Sequence, residues 1–219
     1  MALHYDIHGT GSARLSRARC ARRKTFGSRG HSPTQAGPAR SLPPESGRAL
    51  GSVDGVTTAS IRPAHEDDWP AIWPFFQTVV AEGETYAYPL DLTSEGGREI
   101  WMQSPPSRTV VAEHEGSVLG SATMGPNRPG RGSHVGTASF MVSPTARGLG
   151  LGRLLAEHVI GWHQAQGFRA IQFNAVVETN TAAVRLWQSL GFQIIGTVPE
   201  AFQSIRHGYV GLHVLYLTL

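Results

Sequence analysis

The sequence predicts an α/β protein: a mixed, seven-stranded β-sheet flanked by four helices, in the order β-α-α-β-β-β-α-β-α-β-β. Three observations carry that reading. Short β-prone runs alternate with segments whose apolar residues recur at helical spacing. A glycine-rich turn, Arg147-Gly148-Leu149-Gly150-Leu151-Gly152-Arg153, separates an apolar strand from an amphipathic helix. A second helix opens at Asn180 and stops at Gly191 just before the last two strands.

The ordered part is expected to begin at residue 57. Thr57 to Arg62 is a β-prone run closed by Pro63. Glu66, Asp67 and Asp68 stand where a first helical turn favours acids, and Trp69, Ile72, Trp73, Phe76 and Val80 follow as a helical stripe. Pro70 suits the first turn, whereas Pro74 is expected to bend or interrupt that helix. A loop then carries Glu82, Glu84, Tyr86 and Tyr88, and a weaker helix spans about Thr93 to Gln103 before Ser104-Pro105-Pro106. Arg108 to His114 and Ser117 to Met124 read as a hairpin around Glu115-Gly116. Asn127 to Gly132 is expected to be a flexible connection, and Val135 to Val142 the strand that feeds the glycine turn. Leu151, Leu154, Leu155, His158, Val159 and Trp162 mark the following helix, ended by Gly167. Arg169 to Val176, Phe192 to Thr197 and Tyr209 to Leu217 complete the strands, with Ala183, Leu186, Trp187 and Leu190 on the buried face of the last helix.

Residues 1–56 differ in kind. The first fifty hold nine basic groups against two acids, a net charge of +7, so the remaining residues carry −4 of the chain's total of +3. This stretch is rich in Gly, Ser, Pro and Arg without hydrophobic periodicity, and it reads as a disordered basic leader. An Arg- and Ser-rich, acid-poor start is also the composition of a transit peptide or a nucleic-acid tail. No function is assigned to it, and no nucleic-acid partner is expected. The single cysteine, Cys20, excludes an intrachain disulfide and a cysteine metal cluster, and the ten histidines are scattered, so no metal is expected. No apolar run approaches the length of a membrane span, and a cytoplasmic protein is the expectation. A homodimer is the default quaternary expectation.

The glycine turn is built for a phosphate. Amides at a helix start lack intrahelical acceptors, the helix dipole adds positive potential, and Arg147 and Arg153 flank the turn. The dinucleotide fingerprint G-x-G-x-x-G fails, because Gly148, Gly150 and Gly152 are spaced two apart. The P-loop fails too, since Gly152 is followed by Arg153 and Leu154. What matches is R-x-x-G-x-G, as Arg147, Gly150 and Gly152.

That pattern resembles the acyl-coenzyme A pyrophosphate loop of the GNAT superfamily of N-acyltransferases. Asn180-x-x-Ala183-x-x-Leu186-Trp187-x-x-x-Gly191-Phe192 is similar to the family's second signature, N-x-x-A-x-x-L-Y-x-x-x-G-F, in the right order and on the right elements. The resemblance covers roughly residues 60–219. Asn174, Asn180 and the closing segment from Pro199 to Tyr209 are also similar to a fungal branch that acetylates proline-like imino acids.

The resemblance implies the GNAT fold, with its sheet splayed beyond the loop, and an acetyl-CoA-dependent N-acetyltransferase. Amides from Gly148 to Arg153, through Leu149, Gly150, Leu151 and Gly152, would hold the pyrophosphate. Phe140, Met141 and Val142 would line the pantetheine arm, and an N–H near Val142 would polarise the thioester. Asn174 and Asn180 would fix the cofactor or substrate, an N-cap being an equal reading for Asn180. A primary or secondary amine of a small molecule would attack directly in a ternary complex. Alternatives are acetylation of a protein N-terminus or lysine, or a non-catalytic acyl-CoA sensor. Glu84 and His134 are the candidate catalytic proton acceptors, with Glu178 or a water relay beside them. Tyr86, Tyr88 and Tyr209, with His207, are candidate acceptor contacts. One departure is Trp187, where the signature has a tyrosine that often protonates the leaving thiolate. An indole N–H cannot be a general acid at neutral pH, and core packing is the preferred role of Trp187.

Overall fold

The computed structural model describes residues 59–219; the leader assigned to residues 1–56 lies outside them. Seven strands and four helices follow in the expected order: β1 (Ala59–Pro63), α1 (Trp69–Ala81), α2 (Ser94–Trp101), β2 (Arg108–His114), β3 (Ser117–Pro126), β4 (Val135–Val142), α3 (Leu151–Ala165), β5 (Ala170–Val177), α4 (Thr181–Ser189), β6 (Gln193–Ser204) and β7 (Gly208–Thr218). They form one mixed sheet in the order β1-β2-β3-β4-β5-β7-β6. β4 and β5 are its parallel pair and the other neighbours are antiparallel.

The start of α1 is held by charge. Asp68 accepts both terminal guanidinium nitrogens of Arg62 (2.7 and 2.8 Å) and the amide of His65 (2.7 Å). Arg62 also reaches Glu113 on β2 at 2.6 Å, so one side chain joins two strands and a helix. The Arg62 guanidinium holds the Asp68 carboxyl below the usual carboxylate range.

Of the two outcomes expected at Pro74, a bend or an interruption, the interruption does not occur: α1 runs unbroken from Trp69 to Ala81. The carbonyl that loses its helical donor is that of Pro70, and both prolines lie on the exposed face. On the opposite face Trp69, Ile72, Phe75, Phe76 and Val80 are buried with Trp101 and Val111. Each large side chain so placed contributes about 1.5–3 kcal/mol, so the set together outweighs the roughly 3 kcal/mol that an interior proline costs a helix. The other side of the sheet packs Leu151, Leu155, Ala156 and Val159 of α3, with Trp187 of α4, against Val110, Ala112, Ala138, Ile171 and Phe173.

Glu115 (φ 50°) and Gly116 (φ 75°) make the β2–β3 turn, the left-handed pair that a two-residue hairpin needs. The β3–β4 connection is more ordered than expected. Asn127 is buried and its carboxamide exchanges hydrogen bonds with Asn174, and residues 130–132 form a 3₁₀ turn. β6 is longer than expected and extends to Ser204. Pro199 and Glu200 (φ 52°) sit in a bulge between Val198 and Phe202, after which pairing with β7 resumes at Phe202 and Val210. An edge strand tolerates proline there because one row of its main-chain groups needs no partner strand.

The feature that positions the site is the parallel junction. β4 pairs with β5 only at Val135–Ala170 and Gly136–Ile171, and the strands then part. Upstream, the Asn127 amide donates to Val135, and downstream the Ser143 amide donates to Leu119, so odd-numbered residues of β4 face β3. Alternation turns the main-chain groups of Ala138, Phe140 and Val142 toward β5, into the wedge.

Candidate active site

The wedge opens onto the glycine turn. Ser143 leaves β4 and its hydroxyl meets the Thr145 hydroxyl at 2.8 Å, fixing a 3₁₀ turn over Pro144–Ala146. Gly148 (φ 86°) and Gly150 (φ 73°) then take left-handed conformations, Gly150 as the N-cap of α3. A β-carbon at either would meet nothing within 4 Å, so backbone conformation rather than crowding demands glycine. The amides of Arg153 and Leu154 turn back to the Gly150 carbonyl. Those of Gly148, Gly150, Leu151 and Gly152 find no main-chain acceptor among the described residues. Gly148 and Gly150 are exposed, which leaves their amides at the surface by the positive end of a 15-residue helix. The donor set suits a diphosphate, and the fit to the pyrophosphate of coenzyme A is good.

Beside the turn lies a cavity of about 420 Å³. Val79 lines it from the last turn of α1, Glu82, Glu84 and Thr85 from the segment after it, Phe140 to Pro144 and Arg147 from β4 and its loop, Thr179 and Asn180 from the start of α4, and Arg206 and His207 from the β6–β7 turn. Thus Glu84, Phe140, Met141, Val142, Arg147, Asn180 and His207, separated widely in sequence, come together. Asn180 does cap α4, its carbonyl oxygen accepting the Ala183 amide at 3.2 Å, and borders the cavity as well. Arg153 turns outward to Ser189 (2.7 Å) and Glu157 (3.4 Å).

Glu84 is tied down. Its two oxygens accept the Ser204 hydroxyl (2.7 Å) and the Arg206 amide (2.9 Å). The Ser204 hydrogen bond, aided by the Arg206 amide, lowers its pKa and weakens it as a base.

Other candidates stand elsewhere. His134 precedes β4 at the end opposite Val142, some eight residues and about 26 Å of strand away, and its carbonyl accepts the Arg169 amide. Asn174 is committed to Asn127 and Gln172 and does not line the cavity. Tyr86 and Tyr88 are buried in the core under α1, stacked at 5.3 Å, and Tyr209 is 67% exposed on β7 outside the cavity lining. Glu178 accepts the Gly211 amide across the β5–β7 junction. Asn174, Glu178, Tyr86 and Tyr88 are thus taken up by packing or by hydrogen bonds, whereas His134 and Tyr209 stand away from the cavity.

Glu82, Ser143, Thr179 and Arg206 are cavity residues that the sequence reading missed. No local pattern marks them; Arg206 qualifies only because β6 and β7 bring their turn over the segment after α1.

The model of the "Acetyltransferase (GNAT) family" matches residues 61–192. The chain belongs to this family. A solved GCN5-related N-acetyltransferase from Kribbella flavida is similar at 60% identity, with a TM-score of 0.72, over 74% of this chain and 98% of its own. Among curated proteins, N-acetyltransferase aca1 of Schizosaccharomyces pombe is 29% identical over 64% of this chain and 75% of its length. The L-methionine sulfoximine/L-methionine sulfone acetyltransferase of Pseudomonas paraeruginosa is 33% identical over 67% of this chain and 87% of its length. The GNAT protein described here is accordingly an acyltransferase with the family's seven-stranded sheet. Its Trp187 is 6% exposed and packs against Phe140 (4.7 Å between ring centroids), Phe173 (4.8 Å) and Phe192 (5.8 Å), the role expected for it.

Proposed function

We propose that this GNAT protein moves an acetyl group from acetyl-CoA to an amine of a small molecule, by direct attack in a ternary complex. The observation that carries the proposal is a pair of neighbouring main-chain donor sets: the amides of Gly148, Gly150, Leu151 and Gly152, without main-chain acceptors among the described residues, and the wedge-facing groups of Val142 on the wall of the adjoining cavity. Turn amides hold the diphosphate, each charge-assisted hydrogen bond contributing about 1.5–3 kcal/mol, and Arg147 adds a fixed positive charge. Val142 pairs with the pantetheine arm as a neighbouring strand would, and its N–H receives negative charge as the thioester carbonyl becomes tetrahedral.

The neutral amine forms a C–N bond to the acyl carbon, the C–S bond breaks, and the thiolate leaves. No covalent enzyme intermediate is needed. The amine proton goes to water bordered by Glu82, Glu84 and His207; Glu84, weakened as a base, mainly positions the β6–β7 turn. A thiolate of ordinary pKa about 8.5 leaves without a tyrosine acid, which suits the presence of Trp187. Arg206, with no ion pair among the described residues, faces the acceptor side and favours an amine that also carries an anionic group. The relative named for acetylating L-methionine sulfoximine and L-methionine sulfone supports a small-molecule acceptor.

The test is thiol release from acetyl-CoA against amino acids, imino acids, polyamines and aminoglycosides, with coenzyme A binding measured by calorimetry. Release above background with an anionic amine supports the reading. Tight coenzyme A binding without release for any amine points to the acyl-CoA sensor instead.

A further inference from the structure

We propose that Tyr86 sets how far an acyl group can enter the β4–β5 wedge, and so restricts transfer to the shortest acyl chains; the inference rests on the acetyl-CoA reading above. The wedge runs from the glycine turn at the C-terminal end of β4 down to the parallel pairing at Gly136. Three residues of β4 present main-chain groups to it: Val142, then Phe140, then Ala138. Val142 has no strand partner on that side. Phe140 is already satisfied, since its N–H donates to the Tyr86 hydroxyl at 3.1 Å and its carbonyl accepts the same hydroxyl's proton.

An arm descending from the turn therefore finds free partners at Val142 and an occupied edge at Phe140. A strand advances ~3.3 Å per residue, so the two levels are separated by about 7 Å. Allowing about 4 Å for closest approach to the tyrosine, roughly 3 Å of clear path remains beyond the carbonyl. That accommodates an acetyl methyl and little more.

Tyr86 is well placed to be a stop rather than a gate. It is 3% exposed, stacked on Tyr88 with 3° between planes, and set edge-on to Trp101 at 6.3 Å. Burial raises its pKa well above that of a free phenol, so the proton stays on the hydroxyl. Moving the ring aside would expose aromatic surface and strip two main-chain groups of their partner.

The test uses dissociation constants of free coenzyme A, acetyl-CoA, butyryl-CoA and hexanoyl-CoA, by calorimetry, for the full chain and for Tyr86→Phe and Tyr86→Ala. Wild type should bind hexanoyl-CoA at least ~10-fold more weakly than acetyl-CoA, and Tyr86→Ala should narrow that ratio to within ~3-fold (a tenfold ratio being 1.4 kcal/mol). Tyr86→Phe, which keeps the ring, should retain the wild-type ratio. A ratio unchanged in Tyr86→Ala, or a wild type indifferent to chain length, overturns the inference while leaving the acetyl-CoA reading intact. Failure of wild type to bind coenzyme A overturns that reading instead. If Tyr86→Ala loses its cooperative melt, Tyr86→Leu carries the same comparison, because general damage weakens all four ligands alike and leaves the ratio unmoved.

Discussion

The Ser204 hydroxyl donates to the Glu84 carboxylate at 2.7 Å across 120 residues of chain, fastening the β6–β7 turn to the segment after α1. Both sides of that contact line the cavity through Glu84 and Arg206. A general base removed from such an enzyme costs roughly 10²–10⁴-fold in turnover. Glu84→Gln is expected to cost less than ~10-fold in kcat while raising KM for the amine, because the turn loosens but the proton route persists. Steady-state kinetics at saturating acetyl-CoA check this.

The same carboxylate makes a pH prediction. Its pKa is lowered on folding, so the stabilisation it provides is present above the ordinary carboxylate range and is lost as pH falls through the lowered value. Urea midpoints of wild type should therefore drop on acidification in the acid range more than those of Glu84→Gln.

Gly150→Glu places a side chain at φ 73° and a carboxylate among the amides that would receive a diphosphate. Since a β-carbon there meets nothing within 4 Å, the fold should survive, at a cost of about 1–3 kcal/mol for the strained backbone. Coenzyme A affinity should fall at least ~10-fold by calorimetry. Unchanged affinity in a folded variant would remove the phosphate role of the turn.

Trp187→Ala empties a pocket walled by Phe140, Phe173 and Phe192. A loss of about 3–5 kcal/mol in stability is expected from denaturant melts. Trp187→Tyr, by contrast, should alter kcat by less than ~10-fold, since the indole packs and transfers no proton.

His163 is fully buried, its Nδ1 paired with the Val159 carbonyl at 2.8 Å and its ring set against Trp162 and Phe168. Burial lowers its pKa, so the folded state holds His163 neutral where the unfolded chain takes up a proton. Stability should decline as pH falls from about 6.5 toward the lowered folded value. His163→Leu should flatten that decline relative to wild type, as read from thermal midpoints between about pH 7 and pH 5.

Much of the frame is legible in the chain. The turn from Arg147 to Arg153, the helical stripe from Trp69 to Val80 and the strand limits of β2 and β4 all follow from spacing and turn residues. These act within a few positions, where backbone sterics and side-chain periodicity are decisive. The local pattern fails where a distant partner intervenes, as with Asn127, held in place by Asn174.

The order of elements, the glycine turn and the family signatures are written in residues that neighbour one another, and are readable there. Only the folded chain brings the Tyr86 hydroxyl to the Phe140 main chain and Arg206 to the cavity that Glu84 also lines. Those outcomes join residues far apart in the chain, 54 positions for Tyr86 and Phe140 and 122 for Glu84 and Arg206. Packing across that distance is settled by which faces bury the most apolar surface together, a quantity no local window contains.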